Sequence, residues 1–82
     1  MNDITDVIPT LTRALKDQDV GVRSSAAYAL GSIGAGAKDA GLALIQALQD
    51  GDRRVRINVA EALGQINAPE VLKAVKEYES RQ

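Results

Sequence analysis

Residues 14–33 read ALKDQDVGVRSSAAYALGSI, and residues 47–66 read ALQDGDRRVRINVAEALGQI. The two stretches follow one pattern at an interval of 33 residues. When residues 6–34 are overlaid on residues 39–67, 13 of the 29 positions are identical. A period of this length is typical of stacked helical units, none of which can bury its apolar face alone. The sequence therefore predicts an all-α fold, a solenoid of antiparallel helical hairpins.

Each unit is predicted to contain two helices. Apolar residues at helical spacing place the first helices at about 7–16 and 40–49, and the second helices at about 20–33 and 53–66. An aspartate precedes each helix, and its carboxylate can accept hydrogen bonds from the free N–H groups of the first turn. The predicted N-caps are Asp6, Asp19, Asp39 and Asp52.

Pro9 leaves two starts open for the first helix. With Asp6 as the N-cap, Pro9 is the third helical residue, where its missing N–H removes no intrahelical bond. A start near Asp3 instead places Pro9 inside the helix, which must then kink.

The second helix is predicted to bury one face and to end at glycine. The predicted buried residues are Val22, Ala26, Ala29, Leu30 and Ile33. Gly31 and the alanines allow a neighbouring helix to come close. Residues 34–36, Gly-Ala-Gly, end the helix because glycine accepts the left-handed C-terminal conformation, and they begin a flexible connector.

A fifth helix is predicted to begin at Pro69, since proline is favoured in a first helical turn. One face of this helix is charged, as a terminal capping helix requires. Its apolar residues are Val71, Leu72, Val75 and Tyr78. The helix order is A–B–A–B–A in a single domain. The predicted bounds are 1–82 for the domain, about 6–34 for repeat 1, about 39–67 for repeat 2 and about 69–79 for the capping helix.

The repeated segments resemble a known family. Residues 15–23 and 48–56 resemble the turn between the two helices of a HEAT repeat. Each is followed by the pattern Ala-x-Ala-Leu-Gly-x-Ile, at 27–33 and 60–66. The combination is similar to the short HEAT-like repeat of phycobilin lyases and to artificial consensus proteins built from it. The likeness covers about residues 6–79.

The resemblance implies roles for particular residues. It implies that second helices line the inner surface of the curve, and that the turn Asp and the Arg of Val-Arg tie consecutive units together. At the matching positions stand Asp17, Asp50, Arg23 and Arg56. The chain departs from the family at Leu42, where a proline is frequent, and its third unit lacks a second helix.

The composition disfavours several functional classes. Ten Lys and Arg balance eleven Asp and Glu, so no net field attracts nucleic acid or an anionic membrane. Without Cys or His, the chain lacks the commonest metal ligands and the commonest general base. Its only aromatic residues are Tyr28 and Tyr78. We therefore expect a cytoplasmic protein that is not an enzyme, with no metal, no cofactor, and no nucleic-acid or membrane partner.

The candidate binding residues are positions of the second helices where the two units differ. Positions that repeat hold the fold, whereas differing positions on an exposed face are free to bind a partner. These residues are Gly21, Ser24, Tyr28, Ser32, Arg53, Arg54, Ile57, Asn58, Glu61 and Gln65. The alternative is an ordinary solvated face with scattered apolar residues.

Arg53 and Arg54 stand in the first turn of a helix, where cations oppose the helix dipole. Their charge is expected to be compensated, either by Asp50, Asp52 and Glu61 or by an acidic group of a partner.

The leading interpretation is a non-enzymatic protein-interaction or scaffold module that uses the second helices. Two alternatives stay open: an accessory subunit or fragment of a phycobilin lyase-type assembly, and a designed or minimal repeat protein with no natural ligand. A monomer is expected, and weak self-association through the ends of the solenoid is the alternative.

Overall fold

The computed structural model describes residues 4–66 together with 73, 76, 77 and 79–81, with side chains from residue 7 onward. Within this part of the chain every regular element is helical, and the all-α prediction is confirmed. The elements in chain order are α1 (Ile4–Ala14), α2 (Val20–Ile33), a 3₁₀ helix (Gly34–Ala40), α3 (Gly41–Ala47) and α4 (Arg53–Ile66).

Helix α1 begins earlier than the Asp6 cap predicts. Asp6 lies inside α1, so the prediction that it is the N-cap is wrong. Pro9 is also inside the helix, and its missing N–H leaves the carbonyl of Thr5 without the usual helical donor. The chain leaves α1 through a tightened turn. In this turn the N–H of Leu15 donates to the carbonyl of Thr12, and the N–H of Lys16 donates to the carbonyl of Arg13.

Helix α2 has the predicted bounds, and Asp19 is its N-cap. The Oδ1 atom of Asp19 accepts from the N–H of Val22 at 3.1 Å. Gly34 ends the helix with φ 74°, a conformation that favours glycine, and its N–H donates to the carbonyl of Leu30. Both ends of α2 were therefore predictable from local chemistry.

The buried face of α2 is rotated from the predicted one. Ala26 and Leu30 are buried as expected, but Val22 is 41% exposed, and Ala29 and Ile33 are only partly buried. Ala27 and Gly31 are fully enclosed instead. The reason is that α4 packs on the side of α2 that bears these two residues.

The connector after α2 is helical rather than flexible. Residues 34–40 form a 3₁₀ helix that buries Ala37 and Ala40. Asp39 lies within it, and α3 starts after Ala40 with no side-chain cap, so the predicted Asp39 cap is wrong. Helix α3 is consequently shorter than predicted, and the chain leaves it through another tightened turn.

Helix α4 has its predicted bounds and an Asp52 cap. The Oδ1 atom of Asp52 accepts from the N–H of Arg54 at 2.8 Å, and its carbonyl accepts from the N–H of Arg56 at 3.1 Å. The N–H of Asp52 donates in turn to Asp50. The entry to α4 thus repeats the entry to α2.

The core consists of aliphatic side chains and alanine. Helices α2 and α4 form the most extensive contact between elements, while α1 packs on α2 and α3 packs on α4. At the contact of α2 with α4, Gly31 lies directly on Ala62, which lets the two backbones approach closely. The fully buried large side chains are Leu30, Leu44, Val55, Val59 and Ile66.

The predicted capping helix falls largely outside the described residues. Its proposed start at Pro69 and its apolar residues Val71, Leu72, Val75 and Tyr78 all lie outside them. The residues that the structure describes here, including Lys73 and Lys76, are exposed.

Candidate protein-binding surface

The ten predicted binding residues lie on two adjacent helices. We refer to them together as the second-helix face, and the structure places them in two groups. On α2 are Gly21, Ser24, Tyr28 and Ser32; on α4 are Arg53, Arg54, Ile57, Asn58, Glu61 and Gln65.

Two of these residues join the helices. Ser24 and Asn58 are both half-buried, and the Nδ2 group of Asn58 donates to the Ser24 hydroxyl and, at 3.5 Å, to the Ser24 carbonyl. They lie 34 residues apart in sequence. Their polar groups are therefore occupied in fixing α2 against α4 and are only partly available to a partner.

Gln65 lies over the point of closest approach between the helices. A β-carbon on Gly31 would lie 2.8 Å from the Cα atom of Ala62 and 2.2 Å from the Oε1 atom of Gln65. Only a residue without a side chain fits at position 31. The exposed amide of Gln65 thus covers this crossing, and its position depends on the glycine beneath it.

Tyr28 and Ile57 are the prominent apolar groups of the face. Tyr28 is 66% exposed and Ile57 is 47% exposed. Glu61 occupies on α4 the position that Tyr28 occupies on α2, and it is also exposed. Ser32 is turned onto its own helix, because its hydroxyl donates to the carbonyl of Tyr28 at 3.1 Å.

The two arginines at the start of α4 differ. Arg54 pairs with the helix-capping Asp52, with 3.3 Å between Nη2 and Oδ2. This hydrogen bond lowers the pKa of the Asp52 carboxyl below its ordinary value of 3.8, and the carboxylate in turn raises the pKa of Arg54. Arg53 is exposed and makes no ion pair within the part of the chain that the structure describes.

The turns that precede α2 and α4 are held by arginine. Arg23 donates through Nη1 to the carbonyls of Asp17 and Gln18, at 2.8 and 3.0 Å. Arg56 does the same in the second unit, donating to the carbonyl of Asp50 at 2.7 Å. A guanidinium with five donors can serve a turn and still reach a second partner.

The second partner of Arg23 is Asp50, and this contact ties the two units together. Arg23 also forms a two-pronged ion pair with Asp50, at 2.8 Å from Nε to Oδ2 and 3.3 Å from Nη2 to Oδ1. The role that the resemblance implied is therefore confirmed for this pair. Asp17 and Arg56, by contrast, make their hydrogen bonds within their own turns.

The sequence prediction missed an apolar surface on the side of α2 that bears Val22 and Ala29. Val22 is 41% exposed there, and Leu11 and Ala29 are partly buried. Their counterparts 33 residues later, including Val55 and Ala62, are buried. The repeat contained the signal, since these positions are buried only where a neighbouring unit packs against them.

Two kinds of feature were not found among the described residues, a cluster of metal-binding side chains and a helix able to span a membrane. No three acidic side chains lie together in the part of the chain that the structure describes. None of the helices found there has the length and apolar character needed to cross a bilayer.

Comparison with known families agrees with this architecture. A family model described as HEAT repeats matches residues 35–80, and a second, described as HEAT repeat, matches residues 7–37. No curated protein matches the sequence. The similarity to the phycobilin-lyase type of repeat stays a prediction, because neither description distinguishes that type.

Proposed function

The chain belongs to the HEAT repeat family, whose members are generally protein-interaction or scaffold modules, and we propose that it binds a protein partner through the second-helix face. In this proposal the chain acts without catalysis, metal or cofactor. The cytoplasm is the proposed compartment.

The observation that carries the proposal is the exposure of Tyr28 and Ile57. At 66% and 47% they stand out on a face whose other members are polar, charged or glycine. An aromatic or branched aliphatic side chain amid polar neighbours is the composition of an interface centre with its rim. Tyrosine suits this role because its ring offers a large contact area with few rotatable bonds.

The rigidity of the face supports the same proposal. Tyr28 lies one turn from Ser24, and Ile57 is next to Asn58, so the Ser24–Asn58 hydrogen bonds hold both anchors on helices in fixed relation. A partner then loses less conformational entropy on binding than it would on a mobile loop.

The charges favour a partner with an acidic group near the start of α4. Arg53 is exposed and unpaired among the described residues, whereas Arg54 is already paired with Asp52. The balance of ten cations against eleven anions in the chain supports a protein partner over nucleic acid.

The test is a pull-down from a bacterial lysate with mass-spectrometric identification. The variant carries Tyr28→Ala, Arg53→Glu and Ile57→Asp. A matched control carries Leu42→Ala, Lys38→Glu and Val7→Asp, which make similar changes at exposed positions of the first helices and the connector. Circular dichroism must first show that both variants fold.

We expect a partner that is retained by the wild type and the control and lost by the second-helix variant. Its affinity should then fall at least tenfold with Tyr28→Ala alone, as is usual for an interface anchor. Equal retention by all three proteins would reject the second-helix face as the binding surface.

A further inference from the structure

A groove on the surface of the protein lies between α1 and the 3₁₀ helix, and its volume is about 430 Å³. We call it the connector groove. Its lining residues are, from α1, Ile8, Pro9, Thr12 and Arg13 and, from the 3₁₀ helix, Gly36 and Asp39. None of the ten residues of the second-helix face lines it, so it is a separate candidate site.

The connector groove lies between the two described units. One wall is α1 of the first unit, and the opposite wall is the connector that leads into the second unit. The surface of α1 and α2 on which an additional unit could stack is a different one, and it includes Leu11 and Val22. A unit packed on Leu11 and Val22 would therefore leave the connector groove open.

Opposite charges stand on the two walls of this groove, together with an apolar surface. Ile8 is 8% exposed and Pro9 is exposed beside it, so the two side chains offer aliphatic contact. Arg13 on α1 and Asp39 on the 3₁₀ helix are both exposed, and neither makes an ion pair within the described residues. Both charged groups are therefore available to a ligand.

The polar groups of the groove determine how a ligand is oriented. The Thr12 hydroxyl donates to the carbonyl of Ile8 at 2.7 Å, so Thr12 has no hydrogen to give to a ligand. Asp39 caps no helix, and no described group donates to its carboxylate. The Nη2 atom of Arg13 is 3.5 Å from the Oγ1 atom of Thr10, which is long for a hydrogen bond. A ligand therefore places its anion on Arg13 and its cation on Asp39.

We propose that the connector groove binds the C-terminal lysine of a partner protein. The α-carboxylate of that lysine pairs with Arg13, because a guanidinium can bind a carboxylate through two parallel hydrogen bonds. Its ammonium group pairs with Asp39, and its aliphatic stem lies on Ile8 and Pro9. A C-terminal lysine fits because it carries both charges on one residue, separated by apolar groups.

The size of the groove favours a single terminal residue. Its volume of about 430 Å³ is in the lower part of the range of about 300–1,000 Å³ that is usual for small-ligand sites. A partner segment that runs through the groove would need to supply the two charges from separate residues, whereas a chain terminus supplies them from one. A free amino acid of the same chemistry is the competing occupant.

The probe is the peptide acetyl-Ala-Ala-Ala-Lys with a free C-terminal carboxylate. The acetyl group removes the N-terminal charge, so the peptide carries one ammonium and one carboxylate. Two matched peptides each lack one of these charges. One ends in a lysine amide, and the other ends in norleucine, which has the stem of lysine without the ammonium. The free small molecule is 6-aminohexanoate, and binding to the full 82-residue chain is measured by NMR chemical-shift titration.

We expect the lysine peptide to shift the amide signals of Thr12 and Gly36 and to bind at least as tightly as 6-aminohexanoate. The lysine-amide and norleucine peptides should each bind about fivefold more weakly than the lysine peptide. A loss of this size is typical of one exposed ion pair.

Each charged residue of the groove should affect only the peptides that carry its partner charge. Asp39→Asn should weaken the lysine peptide about fivefold and leave the norleucine peptide unchanged. Arg13→Gln should weaken the lysine peptide to the same extent and leave the lysine-amide peptide unchanged. The controls Lys16→Gln and Glu61→Gln, at exposed positions outside the groove, should change the binding of none of the peptides.

Several results would overturn the proposal. They are an absence of shifts at the groove, equal binding of the three peptides, and variants that weaken the singly charged peptides as much as the lysine peptide. Binding of 6-aminohexanoate without binding of the lysine peptide would assign the groove to a free amino acid instead. None of these results bears on the second-helix face, since Tyr28 and Ile57 do not line the groove.

Discussion

Gly31 and Gly64 are identical residues in equivalent positions with opposite surroundings. A β-carbon on Gly31 would lie 2.8 Å from the Cα atom and 3.1 Å from the Cβ atom of Ala62. At Gly64 no described atom lies within 4 Å of that position. The same residue is therefore required for packing in one unit and is only a weak helix former in the other.

We predict opposite effects of alanine at these two positions. Gly31→Ala should lower the free energy of unfolding by about 1–3 kcal/mol, because α2 and α4 must move apart. Gly64→Ala should raise it by about 0.5–1 kcal/mol, through the lower backbone entropy of the unfolded chain. Urea denaturation of the two variants checks this, and changes of the same sign would contradict it.

The stability of the protein is predicted to depend on pH through Asp52. Its carboxyl has a lowered pKa in the folded state because of the hydrogen bond from Arg54. Its contribution to stability is therefore complete above the ordinary pKa of 3.8 and is lost as the pH falls through the lower folded-state value. We expect the effect to be small, because the Asp52 side chain is partly exposed and that of its partner Arg54 is largely exposed.

The matched variant is Asp52→Asn, which keeps a capping oxygen but has no charge. We expect it to be less stable than the wild type at pH 7 and to approach the wild type below the ordinary pKa of Asp52. Unfolding curves at pH 7 and near pH 3, with an NMR titration of the carboxyl, measure this. A stability difference that grows on acidification would refute the assignment.

At the scale of the helix, two aspartates that looked alike in sequence behave differently. Asp19 caps α2 through the N–H of Val22. Asp39 was predicted to cap α3 but lies inside the 3₁₀ helix, one residue before Ala40. The local sequence could not distinguish them, because the connector becomes helical by burying Ala37 and Ala40 against other elements.

Replacing Asp19 and Asp39 by alanine should show that Asp19 caps a helix and that Asp39 does not. Asp19→Ala should cost about 0.5–2 kcal/mol of stability, the usual loss of an N-cap, and Asp19→Asn should stay close to the wild type. Asp39→Ala should change stability by no more than about 0.5 kcal/mol, as is typical of an exposed site. Thermal unfolding followed by circular dichroism tests this, and a larger loss at Asp39 would mean that it stabilises the connector.

At the scale of the whole molecule, one ion pair among the described residues connects the two units. The Arg23 and Asp50 side chains are 20% and 9% exposed, and the pair lies between the turns that precede α2 and α4. Partial burial makes it stronger than a surface pair, although removal from water offsets part of the gain. It directly links the turn before α2 to the turn before α4.

A double-mutant cycle with Arg23→Met and Asp50→Asn should give a coupling energy of about 1–3 kcal/mol, as for hydrogen bonds to charged groups. Arg23→Met should be the more damaging single change, because Arg23 also holds the carbonyls of Asp17 and Gln18. Arg56→Met is the control and should cost less, since among the described residues the side chain of Arg56 bonds only the carbonyl of Asp50. Additive single effects would exclude coupling between the units.

The sequence by itself determined the all-α repeat, the bounds of α2 and α4, and their aspartate caps. These features depend on contacts within a few residues, or on a period that repeats them. It also placed Tyr28 and Ile57 on an exposed face, because neither position belongs to the repeated apolar pattern.

Only the tertiary structure decided the start of α1, the helical connector and the exposure of Val22. The helical connector and the exposure of Val22 depend on what packs against the segment rather than on the segment itself. Val22 and Val55 are the same residue in the same local pattern, yet Val55 is buried because α2 precedes α4, and Val22 has no such helix among the described residues. In a stacked repeat, the burial of a residue depends on the unit that packs against it, and the sequence around the residue does not specify that unit.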